Sequence, residues 1–361
     1  MRILRLYPQL PPIKGGMEKH IYELSKYQIN HNNHIVNMHN SGEEIDSNSQ
    51  KVFSFFELRR IQKTTIEITV YYIFVVLKLF LKKQRFEVVH IHGDWSSLLF
   101  YKLIKKLTSA KVVVLSIHDQ LSSSFTHQKL LPRLVQDIDL IFSTGYDTAN
   151  ELEKLSGKKA IVQPSGINEI FFEKFDKSFG NEIFTIITVA NLFPKKNIEL
   201  VLDIAKEMKE CRFIVVGDGT HRKVLEDKIK NENILNVELL GFKSTKEVRD
   251  YYQQSDCYLL TSFAEGTPTS ALESMACGLP IVSSNAGGLG NIVEEHENGF
   301  IIDDFDKARY VEKIKLLRSN VDLRKKIFEK NILLAQKYKW ENVASNITSL
   351  TQRKLNEVSV K

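Results

Sequence analysis

Cysteine is scarce in this chain: there are three among 361 residues, Cys211, Cys257 and Cys277, widely spaced and without a CxxC pair. An odd, scattered set excludes a disulfide framework and a thiolate zinc site, and leads us to expect reduced, buried thiols in a cytoplasmic protein. Long hydrophobic runs are missing too. The greasiest stretch, Ile66 to Leu81, is interrupted by Glu67 and Lys78 and falls short of the ~20 apolar residues that span a bilayer. The opening MRILRLYP lacks the charged-then-apolar layout and small-residue cleavage site of a secretory signal, so export is not expected. No repeat with a period of about 20 to 50 residues is present, and no low-complexity tract.

What is there is ample material for two cores. A chain of this length with 43% apolar residues exceeds the size at which one hydrophobic core keeps growing, so two α/β domains are expected. Fifty basic against 44 acidic residues leave a net charge of +6, compatible with an anionic ligand or an acidic membrane surface; no nucleic-acid partner is expected.

Short apolar runs alternate with helical patterns from the start. Strands are predicted at Arg2 to Leu6, His34 to His39, Val88 to His92, Val112 to Ile117, Leu140 to Ser143 and Ala160 to Val162, with a helix from about Met17 to Asn30. Turn residues Pro164, Gly166 and Gly180 then break the rhythm and mark a linker. It restarts with strands at Thr185 to Ala190, Arg212 to Val216, Val237 to Leu240, Cys257 to Thr261 and Ile281 to Ser284, separated by helices, and with helices alone to the end. The expectation is two doubly wound, Rossmann-like domains facing across a crevice, residues 1–165 and 166–341, with a last helix at about 342–361 packing back on the first. Ligands of such sheets bind at the carboxyl ends of the strands.

The segment SFAEGTPTSALESMACGLP, Ser262 to Pro280, combines helix-start signals with two carboxylates, Glu265 and Glu273, seven residues between them. Thr267 reads as an N-cap, Pro268 as the first helical residue and Gly278 as the helix stop. The N–H groups of Thr269 and Ser270 would then face the crevice, where a helix start favours a diphosphate. Read alone, it is equally a capped surface helix with two solvated glutamates. Lys195 and Lys196 follow a strand and read as solvated lysines or as a point charge for phosphate, with Asn197 placed to cap the next helix. Lys14-Gly15-Gly16 is a strand-to-helix turn whose backbone could approach a ligand closely. His90 and His92 share one face of a strand and His118 ends another; without a third ligand motif, no metal site is expected. Arg59 to Arg85 reads as a core helix with a basic face, or as an amphipathic segment in weak contact with an anionic membrane surface.

The stretch EGTPTSALESMACGLPIVSSNAGG closely resembles the signature of the family 4 retaining glycosyltransferases, a GT-B fold family. KGGMEKH, HIHGD, SIHD, QPSGIN, TVANLFPKKN, IVVGDG, LLGF, GGLGNIV and NGFII extend the resemblance, in order, over essentially the whole chain. It implies a metal-independent enzyme, without cofactor, that moves a sugar from a nucleotide-diphosphate sugar such as a UDP-sugar to a glycan or lipid-linked saccharide. It also implies a place in cell-surface polysaccharide biosynthesis, in the cytoplasm or peripheral to the inner face of the membrane. By the resemblance His118, Lys196 and Glu265 are the catalytic group: His118 lines the donor-sugar pocket, Lys196 binds phosphate and Glu265 contacts sugar hydroxyls. Glu273 would hold the ribose; Gly15 and Gly16 would touch phosphate or sugar; Gly266, Thr267, Thr269 and Ser270 would line the diphosphate; and Phe242 would lie by the base. The family's arginine five residues before the lysine is replaced here by Asn191, which removes one positive charge or substitutes a neutral donor. Two other readings are a nucleotide-sugar epimerase on the same architecture and a non-catalytic sugar-nucleotide-binding protein.

Overall fold

The structure is a computed structural model that describes residues 1–9, 16–31, 33–39, 42, 45–46, 48–52, 65–118, 121, 124–180 and 182–360. Runs rich in valine, isoleucine and leucine become strands buried on both faces, as parallel sheets covered by helices require. In the first sheet these are β1 (Arg2–Leu6), β2 (His34–His39), β3 (Gln50–Lys51), β4 (Val88–His92), β5 (Val112–Ile117), β6 (Leu140–Ser143) and β7 (Ile161–Val162). In the second they are β8 (Thr185–Val189), β9 (Arg212–Val216), β10 (Val237–Gly241), β11 (Cys257–Leu260), β12 (Ile281–Ser284) and β13 (Gly299–Ile302). All paired strands run parallel, in the orders β3-β2-β1-β4-β5-β6-β7 and β10-β9-β8-β11-β12-β13. Strand order therefore reverses beside β1 in the first sheet and beside β8 in the second, the two switch points at which this architecture places ligands.

Contacts divide the chain into two compact units, Met1–Gly166 with Trp340–Lys361, and Ile167–Lys339. One face of the first sheet packs Leu4, Leu6, Val89, Ile91, Val113 and Leu115 under the helices of that unit. The other face packs Ile3, Ile35, Val88, Val112 and Val114 with Trp340, Val343, Ala344 and Ile347 of the helix Trp340–Val360. That helix is also tied in by Gln28 Nε2 donating to Thr348 Oγ1 at 2.8 Å and Asn346 Nδ2 donating to Gln163 Oε1 at 2.6 Å. In the second unit the helix Ile198–Glu207 lays Ile198, Val201, Leu202, Ile204 and Ala205 onto the sheet beside Phe213, Val215 and Leu259. The Asp256 carboxylate accepts from Thr185 N at 2.9 Å and lies 3.7 Å from Lys177 Nζ, which fixes the start of β11 beside β8.

Three expectations are corrected. β13 lies where only helices were expected after β12, and β3 was not anticipated; both are edge strands. Helix Thr269–Ala276 starts one residue later than predicted: Pro268, not Thr267, stands at the N-cap, in extended geometry (φ −69°, ψ 108°). Gly278 closes the helix as expected, at φ 75°. Asn197 does precede the next helix, but in the left-handed region (φ 50°, ψ 44°) and without a side-chain cap bond. The three cysteines are buried free thiols, and burial pushes Cys211 up to about 11.

Candidate active site

The loops that follow β8 and β11, neighbours at the reversal of strand order, meet in the second unit. Phe263 N donates to Lys195 O at 2.9 Å and Thr261 Oγ1 to Asn197 O at 2.9 Å, so the two loops are stitched through their backbones. Across this seam Lys196 Nζ forms an ion pair with Glu265 Oε1, their side chains only 15% and 9% exposed. Ser262 Oγ donates to the same carboxylate oxygen at 2.7 Å. A third loop braces the second from behind: Ser284 Oγ donates to Ser262 O at 2.7 Å, and a Cβ on Gly287 would lie 1.5 Å from Gly266 O. Only glycine, here at φ 65°, permits that contact.

Asn191 is exposed in the loop after β8, its carbonyl accepting from Phe193 N at 2.8 Å. Its position follows from Gly217 and Gly219, whose absent side chains let the β9 loop press on Ala190 O and Leu192 O; added Cβ atoms would lie 1.9 and 2.4 Å from them. After Gly266 and Thr267, both half-buried, Thr269 and Ser270 open the helix. The first N–H groups of a helix have no intrahelical acceptor, and Pro268 at the N-cap offers them no side-chain bond. Ser270 is fixed by Tyr258 Oη at 2.7 Å and its carbonyl accepts from Tyr252 Oη at 3.0 Å. Burial, and secondarily charges that include the half-buried Glu273, raises both tyrosines, keeping them protonated. Phe242 is 74% exposed beyond Gly241 and forms no part of the core.

In the first unit His90 and His92 on β4 and the half-buried His118 just after β5 gather with His20 of the helix Gly16–Asn30. His90 and His92 stack at 4.2 Å, and His92 Nδ1 lies 2.9 Å from His118 Nε2. His20 packs edge-on against His118 at 4.6 Å and Trp340 at 5.3 Å, with its Nδ1 2.8 Å from Ser165 Oγ. Arg5 donates to Ser25 and Gln28 and reaches His90 Nδ1 at 3.4 Å, while His90 Nε2 lies 2.8 Å from Ser116 Oγ. Burial first, then the neighbouring rings and Arg5, holds His20, His90 and His92 well below their usual 6.5, so all three are neutral at pH 7. Gly16 opens the helix Gly16–Asn30 with nothing within 4 Å of an added Cβ; Gly15 lies outside the described residues.

The segment Arg59 to Arg85 is described from residue 65. Helix Thr65–Lys82 buries Tyr71, Tyr72, Val75 and Leu79, but its other face is apolar, not basic. Ile66, Val70, Ile73, Phe74, Leu77, Phe80 and Leu81 form an exposed stripe, from 37% at Val70 to 77% at Leu81. The described cations, Lys78, Lys82, Lys83 and Arg85, gather at the C-terminal end, and Arg59, Arg60 and Lys63 lie outside the described residues. No helix among the described residues is long and apolar enough to cross a membrane. Among the same residues no three His, Cys, Asp or Glu side chains are grouped to hold a metal ion.

Sequence reasoning missed Ser262, Gly287 and His20. The doublet Gly287-Gly288 was a visible signal; Ser262 and His20 had none. Two doubly wound parallel units with the central strand order 3-2-1-4-5-6 have the GT-B architecture. The chain belongs to glycosyltransferase family 4: the sequence model of that family matches residues 14–169, and the model described as glycosyl transferases group 1 matches residues 169–333. An uncharacterized glycosyltransferase of Methanocaldococcus jannaschii is 26% identical over 340 residues, 93% of this chain and 94% of its own. A phosphatidylinositol N-acetylglucosaminyltransferase subunit from Arabidopsis thaliana is 24% identical over 376 residues, with 98% of this chain and 82% of its own covered. The crystal structure of Anabaena HepE in complex with UDP and glucose shares the fold at a TM-score of 0.76 and 18% identity, covering 98% of this chain and 99% of that one.

Proposed function

We propose that the enzyme transfers a sugar, with retention of configuration and without a metal ion, from a nucleoside diphosphate sugar to a lipid-linked or glycan acceptor at a membrane surface. The observation that carries this reading is the meeting of Lys196, Glu265 and the helix start at Thr269 at the reversal of strand order in the second sheet. A cation and oriented N–H groups are what a departing diphosphate needs, because they stabilise charge that develops on it without reorganising. Glu273, one turn into the helix, is the proposed ribose acceptor, Glu265 the proposed contact for sugar hydroxyls and His118 the proposed donor-sugar contact. HepE, which shares the fold, was crystallised with UDP and glucose, which makes UDP-sugars the first donors to try. The Arabidopsis relative is named for phosphatidylinositol, and the apolar stripe of helix Thr65–Lys82 with lysines at its end suits an enzyme that works on a lipid-carried acceptor.

The test separates the two glutamates. Glu273→Ala removes a charge-assisted hydrogen bond worth roughly 1.5 to 3 kcal/mol, so calorimetry should show the nucleoside diphosphate binding about tenfold to a hundredfold more weakly. Glu265→Gln should bind the same diphosphate no more weakly than wild type while turnover of the intact donor falls. If both variants bind and turn over like wild type, with a panel of UDP-, GDP- and ADP-sugars as donors, the site assignment is wrong.

A further inference from the structure

His92 has no contact with any proposed ligand role, yet its ring is fully buried against His118, the residue proposed to meet the donor sugar. Centroids 5.2 Å apart, planes only 18° apart and an N···N distance of 2.9 Å mean that the two rings meet edge to edge in nearly one plane. That is the geometry of an in-line N–H···N hydrogen bond, which a neutral pair makes with one proton between the two nitrogens. Two assignments exist. If His118 Nε2 carried that proton, neutral His92 would carry its own on Nε2. That atom is buried and has no hydrogen-bond partner among the described residues, so an N–H there would be an orphaned donor. Orphaned buried N–H groups are rarer than unsatisfied acceptors, and a lost donor partner costs a full desolvation penalty. This puts the shared proton on His92 Nδ1.

We propose that His92 is a positioning residue: its Nδ1–H donates to His118 Nε2 and so fixes His118 as the neutral tautomer protonated on Nδ1. His118 then offers its remaining ring nitrogen as a hydrogen-bond donor, never as an acceptor, which suits a sugar oxygen presenting a lone pair. His90 is fixed in the complementary sense, accepting from Arg5 on Nδ1 and donating from Nε2 to Ser116 Oγ, so the stack under His92 holds one protonation pattern. The inference rests on the proposed role of His118 for its consequence, but not for the tautomer itself.

The tautomer is read directly by long-range proton–nitrogen NMR on full-length protein labelled with 15N-histidine, with His118→Asn and His92→Asn used to assign the two rings. The expected spectrum shows His118 protonated on Nδ1 and bare on Nε2. His92→Phe keeps the ring volume without the donor and should mix the two His118 tautomers and lower kcat about tenfold, the loss of one hydrogen bond, with little change in KM for the donor. His92→Asn carries an amide N–H near the position of Nδ1 and should restore both the tautomer and most of kcat. A wild-type His118 protonated on Nε2, or on both nitrogens, at neutral pH overturns the proposal, as does a His92→Asn enzyme as impaired as His92→Phe. If His92→Phe does not fold, the wild-type spectrum and His92→Asn decide. A protein that shows the expected tautomer but transfers no sugar would instead count against the functional reading.

Discussion

Breaking the Lys196–Glu265 pair tests both the architecture of the second unit and the proposed chemistry. The two side chains are 15% and 9% exposed, so each charge depends on the other and on Ser262 Oγ, 2.7 Å from the carboxylate. Removing one partner of a fully buried pair costs about 3 to 5 kcal/mol, and the residual exposure here brings the expected cost of Lys196→Met or Glu265→Gln to roughly 1.5 to 3 kcal/mol. The double variant leaves no orphaned charge and should cost less than the sum of the singles by about 1 kcal/mol or more. Denaturant unfolding read by far-UV circular dichroism gives these values. Both tryptophans, Trp95 and Trp340, belong to the first unit, so tryptophan fluorescence is an internal control that should not move. Ligand binding gives the second half of the test. A diphosphate must draw Lys196 away from Glu265, so Glu265→Gln should tighten bare UDP by up to about fivefold, the worth of a pair contributing about 1 kcal/mol, while Lys196→Met weakens it. Strictly additive single variants, or a Glu265→Gln protein that binds UDP more weakly, would refute the reasoning.

Three further outcomes are expected. The first unit should lose stability as pH falls below about 6.5, because its unfolded chain takes up protons that buried His20, His90 and His92 refuse; the slope is up to about 1.4 kcal/mol per pH unit for each, and a flat tryptophan-detected midpoint between about pH 7 and 5.5 would contradict this. Vesicles containing anionic lipid should carry the protein upward in a flotation gradient at low salt, and Leu77→Ser with Phe80→Ser, or charge reversal at Lys78, Lys82 and Lys83, should abolish it; unchanged flotation rejects the membrane contact. Transfer activity should persist in excess chelator, since the proposed diphosphate contacts are Lys196 and a helix start, and loss in EDTA restored by Mg²⁺ or Mn²⁺ would reverse that assignment.

Most of the sheet architecture was legible, because parallel strands buried on both faces appear as unbroken apolar runs between turn residues. Val88–His92, Val112–Ile117, Leu140–Ser143, Arg212–Val216 and Ile281–Ser284 fall where their sequences place them. Edge strand β3 escaped because Gln50-Lys51 is two polar residues without an apolar run, and β13 because GFII opens on a glycine, a poor strand residue. The start of the helix at Thr269 was misplaced because Pro268, acceptable as a first helical residue, is equally content in the extended geometry it adopts here. Pairings across the sheet were beyond reach for a different reason. Lys196 and Glu265 lie 69 residues apart and meet only because β8 and β11 are neighbours, and His92 meets His118 only because β4 and β5 align His92 with Ser116. In helix Thr65–Lys82 every residue from Val70 to Leu77 is apolar, so no periodicity announced which face the core would take, and the exposed stripe emerged only from the packing.

The charge balance of the second unit explains why the glutamate and the lysine are paired at rest. Asn191 stands where the family's arginine is expected, so Lys196 is the proposed phosphate cation, and Glu265 already balances it. A site that is nearly neutral at rest gains little from long-range attraction of an anion. It gains more from what happens on arrival. Once the diphosphate takes Lys196, the Glu265 carboxylate loses its counter-charge in a largely desolvated position and needs new hydrogen-bond donors, which sugar hydroxyls supply. On the proposed reading, the phosphate contact and the sugar contact are therefore two halves of one exchange. The complete donor satisfies both, whereas a bare nucleoside diphosphate leaves the carboxylate with Ser262 alone.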